Sequence, residues 1–217
     1  TCTWTVGSAN TNETFAGKIN NWAAGGSGYQ GTVSITKTGT GYWRLTGNND
    51  YKGITNVLKG NLIVNGTNSG TGAVNVMKDA ILSGKGSIAG LVRIYEGGKL
   101  QAGDVEEGAN GARLTLKGNL EVRTGGVVSL LADGSSYNTI TAGSVTLEDE
   151  AVIQIGDEAD ALFFVDGETI PVFSAGVKVI GKVQMIPETP GDGQTWDLSK
   201  LATEGVVKVV GNPTSIK

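Results

Sequence analysis

The chain has 217 residues, 35 of them glycine, with one cysteine and no histidine. That removes the commonest general base and metal ligand, any internal disulfide, and any four-thiolate zinc or cysteine-ligated iron–sulfur centre. Seventeen basic against 21 acidic residues give a net charge of −4, and Lys37, Lys52, Lys59, Lys78, Lys85 and Lys99 fall singly, which excludes the concentrated basic surface that nucleic acid requires.

The first thirty residues show no regular period, although Thr3-Trp-Thr-Val6 reads as a strand that starts at once. From residue 31 one unit recurs, Gly-x-Φ-x-Φ, where Φ is a large apolar residue. It occurs as Gly31-Thr-Val33-Ser-Ile35, Gly41-Tyr-Trp43-Arg-Leu45, Gly60-Asn-Leu62-Ile-Val64, Gly72-Ala-Val74-Asn-Val76 and Gly90-Leu-Val92-Arg-Ile94. It continues as Gly118-Asn-Leu120-Glu-Val122, Gly126-Val-Val128-Ser-Leu130, Gly143-Ser-Val145-Thr-Leu147, Gly181-Lys-Val183-Gln-Met185 and Gly205-Val-Val207-Lys-Val209. Alternation over five residues predicts a strand buried on one face. The leading glycine predicts a positive-φ corner. Shorter strands such as Ala80-Ile-Leu82 fall between, and Ser199 to Thr203 offers the one helical turn. The fold class is all-β.

Asn65-Gly66, Asn110-Gly111, Asp133-Gly134 and Asp166-Gly167 leave hairpins open. The recurring unit fits a solenoid better, with coils of ~20 residues that each hold two or three short strands. Stacked at ~4.8 Å, roughly ten such coils would make a rod on the order of 50 Å long. No apolar run approaches the ~18 residues of a membrane helix. The first residues lack a signal peptide's apolar region, and a chain that starts at Thr1 reads as a piece of a longer protein.

Trp43-Arg-Leu-Thr-Gly-Asn-Asn-Asp-Tyr51-Lys-Gly53-Ile-Thr55-Asn-Val57, running into Gly60-Asn-Leu62-Ile-Val64-Asn-Gly66, resembles the autotransporter-associated β-strand repeat of bacterial surface proteins. Gly70-Thr-Gly72, Ala80 to Gly90 and Gly97 to Asp104 continue the resemblance, with Ala102 where that family usually has proline. Leu114 to Leu147 and Pro187 to Val209 are similar to the later coils and the closing segment of such proteins. Residues 212–217 are similar to the linker before a sorting segment in Bacteroides-like surface proteins. The resemblance implies a right-handed parallel β-helix with irregular end caps, exported to the surface of a Gram-negative cell and associated with its outer membrane. One domain is expected, with residues 1–30 as atypical first coils or cap, 31–155 as regular repeats and 156–217 as final coils and cap, flanked by further domains of the parent chain.

Carboxylates are the catalytic groups that remain, in three runs: Asp104, Glu106 and Glu107; Glu148, Asp149 and Glu150; Asp157, Glu158 and Asp160. A β-helix enzyme needs acids that converge from neighbouring coils. No acidic position repeats one coil apart, so the runs read as solvated loop faces. A Gly-x-Ser-x-Gly elbow is absent, Gly84-Lys-Gly86 is no phosphate loop, and EF-hand spacing is missing. No cofactor is therefore expected, and a calcium ion in one of these loops has no motif behind it. Cys2 follows Thr1 and reads as a plain thiol, buried or frayed, in preference to a lipid anchor.

Aromatic rings can stack on sugars. Trp43 and Tyr51 take positions that pack against the coil, which leaves Tyr29 and Tyr42 as the exposed pair for ligand contact. Pro187, Pro190 and Trp196 suit the covering of one end. The resemblance implies a non-enzymatic scaffold or adhesin-like protein that meets host or cell-surface glycans or proteins. The alternative is a carbohydrate-binding or polysaccharide-degrading β-helix.

Overall fold

The computed structural model of the chain describes residues 1–23, 30–104, 106, 111–132, 136–156, 164–174 and 176–211. The paired apolar residues of all ten units lie in strands. Most strands stack in parallel on three faces. The first face runs from Cys2–Val6 through Val33–Lys37, Thr55–Val57, Val74–Val76 and Val92–Ile94. It continues through the C-terminal halves of Arg113–Val122 and Thr139–Leu147 to Val177–Val179. The second face is an eight-stranded sheet that begins at Glu13–Phe15 and ends at Val183–Ile186. The third is formed by Asn48–Asn49, Thr67–Asn68, Ser87–Ile88 and the N-terminal halves of the two long strands. This is a parallel β-helix.

Eight strands on the second face make eight coils among the described residues, against the ten expected. Trp43, Leu62, Leu82 and Leu100 stack at intervals of 19, 20 and 18 residues. Val128, Ile153 and Met185 then follow at 28, 25 and 32. The later coils carry insertions after the second face, so the same length of chain makes fewer turns.

Period-two alternation points every second residue inward, and each inward residue sits on its counterpart one coil away. Ile35, Thr55, Val74, Val92, Leu120, Val145 and Val177 form one interior column, and Trp43 to Met185 form another. Ile35, Leu62, Leu82, Leu100 and Leu120 are essentially inaccessible. Each such aliphatic contributes about 1.5–3 kcal/mol on burial, so these columns dominate stability.

Lys37, one of the singly spaced lysines, lies inside the coil. It is 1% exposed and occupies an inward position between Val6 and Val57. Its Nζ donates to the carbonyls of Thr38 at 2.6 Å, Gly39 at 3.0 Å and Lys59 at 3.1 Å. Those three acceptors replace the water that a buried ammonium loses, while burial pushes its pKa down.

The glycines also act differently from the expectation. Gly60 has the predicted positive φ of 66°. Gly72 does not; a Cβ there would stand 2.0 Å from the Gly53 carbonyl oxygen, and one on Gly90 would stand 2.0 Å from that of Gly72. Successive coils approach so closely at this corner that no side chain fits.

Trp43 and Tyr51 are packed inside as expected, with the Tyr51 hydroxyl 2.7 Å from the Thr55 hydroxyl and accepting from Asn68 Nδ2 at 3.1 Å. The two ends differ. At the C-terminal end Thr169–Pro171, Val206–Val210 and Thr195–Asp197 form a small antiparallel sheet. Together with the single-turn helix Leu201–Glu204 it buries Ile170, Phe173, Leu201, Val207 and Val209. At the other end Cys2–Val6 and Glu13–Phe15 already pair in parallel with the next coil, so they form a coil and not a cap. Trp4 points along the interior column of Ile35 yet stays 42% exposed.

Candidate functional site

The outer surface is where a β-helix meets anything else, and several of its charged side chains are committed to one another. After Ala102 the chain leaves the second face and runs back along it, with Gly103 bridging Gly84 in antiparallel fashion. This carries Asp104 to Arg44, three coils away in the stack. Arg44 Nε donates to Asp104 Oδ2 at 2.7 Å and Nη2 to Oδ1 at 2.9 Å. Asn65 Nδ2 donates to Oδ2 at 2.7 Å, and the Glu106 backbone N–H donates to Oδ1 at 3.1 Å. The Asp104 side chain is 1% exposed, so it is no solvated loop acid.

Burial alone would raise the Asp104 carboxyl, but the hydrogen bonds from Arg44, Asn65 and Glu106 outweigh it and hold the group below its ordinary value. A carboxyl depressed on folding adds stability above its unfolded pKa of about 3.9 and loses it as pH falls through the lower folded value. The urea midpoint is therefore expected to fall as pH drops from about 4 toward 2. Asp104→Asn should remove that part of the acid dependence.

On the first face the outward residues form a ladder along the axis. Asn75 Nδ2 donates to Asn56 Oδ1 at 3.0 Å, an amide contact between coils that lies on strands and not at bends. Glu121 Oε2 next accepts from Arg93 Nε at 3.0 Å and Arg123 Nη2 at 2.5 Å. Arg123 Nη1 reaches Glu148 Oε1 at 2.5 Å. Asp149 Oδ1 accepts from the Lys182 backbone N–H at 2.8 Å, and Glu150 accepts from Gln184. The second acidic run thus ties its coil to its neighbours.

Tyr42 is half-buried, with the Arg44 guanidinium 4.6 Å from its ring centroid and Arg44 Nη1 donating to its hydroxyl at 3.4 Å. It lines a small cleft of about 180 Å³ with Val6, Thr11, Glu13 and Trp43. Tyr29, its expected companion, lies outside the described residues, as do Glu107, Asp157, Glu158, Asp160 and residues 212–217. Cys2 is an exposed free thiol on the outermost strand of the first face. Among the described residues no group of three or more acidic or cysteine side chains converges as a metal site would. No helix among them is long and apolar enough to cross a membrane.

A larger feature escaped the sequence reading. Val183–Ile186 is the last strand of the second face, and beside it lies a groove of about 540 Å³ against the C-terminal cap. Met185, Trp196 and Leu198 form its apolar part; Glu188, Thr189 and Thr195 are its exposed rim. Trp196 Nε1 donates to the Pro187 carbonyl at 2.9 Å, and Phe164 meets the indole edge-on with centroids 5.2 Å apart. Trp196 and the buried Pro190 do sit in the closing segment, as the sequence implied. That the indole also faces a groove depends on the register of Val183–Ile186 against the cap, which no local motif encodes.

Comparison with known proteins places the repeat. The passenger-associated-transport-repeat family model matches residues 35–64, the stretch from Ile35 inside the first face to Val64 inside the second. Over 74 residues the chain is 39% identical to the adhesin BmaC autotransporter of Brucella suis biovar 1. That alignment covers 34% of this chain, which spans about 2% of the length of that relative. At residues 35–64, then, this parallel β-helix carries an autotransporter-associated repeat of the passenger-associated-transport type.

Proposed function

We propose that this chain is a segment of an exported, adhesin-like surface protein in which the β-helix is a non-enzymatic scaffold. The observation that carries the reading is the repeat at residues 35–64, set within a stack whose coils are held in register. The similarity to an autotransporter adhesin supports it. So does the chemistry of the surface: Asp104, Glu121, Glu148 and Asp149 are all engaged by structural partners. A stiff rod that repeats its faces at each coil presents many weak contacts at fixed spacing, which raises avidity without any single strong site. Host or neighbouring cells are the surfaces it would meet, with the chain displayed outside the outer membrane.

Beads coated with the folded protein test this reading. They are expected to adhere to an epithelial monolayer several-fold more than beads coated with the heat-denatured chain, while a polysaccharide panel incubated with the protein keeps its chain length. Adherence equal to the denatured control, or cleavage that a carboxylate-to-amide variant abolishes, would overturn it.

A further inference from the structure

The groove between Val183–Ile186 and the C-terminal cap has the make-up of a binding site. Its volume of about 540 Å³ lies within the roughly 300–1,000 Å³ typical of small-ligand sites. Val183 and Met185 belong to the inward columns but stay half-buried, because no strand among the described residues follows theirs in the sheet. The closing segment covers them incompletely and sets Trp196 and Leu198 across from them. The indole is held before any ligand arrives, by its Nε1 bond to Pro187 and by Phe164. A ring already fixed spends little conformational entropy on binding. Around it stand two hydroxyls, a carboxylate and the Gln184 amide.

We infer that this groove binds a saccharide, with a pyranose ring laid on the Trp196 indole and its hydroxyls held by Glu188, Thr189 and Thr195. A sugar ring has a face of C–H groups and an edge of hydroxyls, and the groove pairs one rigid aromatic surface with short polar side chains. A peptide added as a further strand would use the free edge of Val183–Ile186, and would want side-chain pockets at alternate positions. Here a single indole dominates the apolar side. Another hollow, lined by Asn20, Asn21, Asp50, Lys52, Ser69 and Thr71, has no ring among its described lining residues. This site rests on the adhesin-like reading and gives it a partner class.

The test is a titration of the ¹⁵N-labelled protein with oligosaccharides of the gluco-, galacto-, manno- and N-acetylglucosamine series, read by the four indole N–H signals that its four tryptophans supply. The expected result is a saturable shift of the Trp196 signal by at least one series, with Trp4 and Trp43 unmoved. Trp196→Ala should weaken binding at least about tenfold, and Trp196→Phe should recover part of it. Glu188→Ala alters an exposed rim residue only, so it should weaken binding with an unchanged melting temperature. No shift with any series, or affinity unaltered in both Trp196→Ala and Glu188→Ala, overturns the site. So does a valine-rich peptide that moves the Val183–Ile186 amides when no sugar does. The wild-type protein separates the two readings. Beads that adhere while no sugar series binds the protein remove the saccharide site alone; beads that fail to adhere remove the adhesin-like function itself.

Discussion

Gly72→Ala is expected to destabilise the solenoid by about 3 kcal/mol or more, at the upper end of the usual cost of overpacking. The new methyl would lie 2.0 Å from the Gly53 carbonyl oxygen and 2.6 Å from its carbon. Both obstacles are backbone, so no side chain can swing away. Nor can the coils part locally, because Val74 is paired with Thr55 on one side and Val92 on the other. The urea midpoint measures the loss. Gly143→Ala is the matched control, since its nearest contacts would be 3.1 and 3.2 Å away. It should cost less than about 1 kcal/mol. Equal losses at the two positions would show that close approach between coils is not what the glycines serve.

Arg44→Ala is expected to cost about 3 kcal/mol, the lower end for breaking a buried ion pair. The variant leaves an ionised Asp104 out of water with only Asn65 and the Glu106 backbone as donors. Those two bonds keep the loss from being larger. Replacing both partners, Arg44→Met with Asp104→Leu, should recover most of the stability, because the penalty arises from the stranded charge and not from the missing attraction. Chemical denaturation of the three variants checks the order: wild type and double variant close together, Arg44→Ala well below. Amide exchange should also rise after Ala102 in Arg44→Ala, where the chain loses the contact that brings it back along the second face.

The strands were legible in the sequence because period-two alternation is local, and all ten Gly-x-Φ-x-Φ units became strands. What the alternation could not give was the mate of each strand. Val207 and Val209 carry the same signature as Val74 and Val76, yet they pair antiparallel in the cap. Lys37 was readable in principle, since Val33 and Ile35 set the inward parity four and two residues earlier. Residue type alone points the other way, since lysine is almost never fully buried unless paired. A glycine in the sequence does not distinguish a positive φ, as at Gly60, from a missing side chain, as at Gly72. The Arg44–Asp104 pair spans 60 residues. It follows from the register of four coils and the path of an insertion, and neither leaves a trace in composition or spacing. For the ligand contact, exposed tyrosines were the natural candidates from sequence, but the Tyr42 ring already carries the Arg44 guanidinium. The fixed indole of Trp196 is formed only when the last strand of the second face meets the cap.

The stacked coil is tested most directly by a distance measured along its axis. Thr36 and Thr146 are outward residues of one column on the first face, linked through Asn56, Asn75, Arg93 and Glu121. Five steps of ~4.8 Å separate them by about 24 Å. Spin labels on Thr36→Cys and Thr146→Cys, in a Cys2→Ser background, should give one narrow distance distribution centred near about 24 Å once the label length is allowed for. A broad distribution, or a mean beyond about 40 Å, would contradict the parallel β-helix and the scaffold built on it.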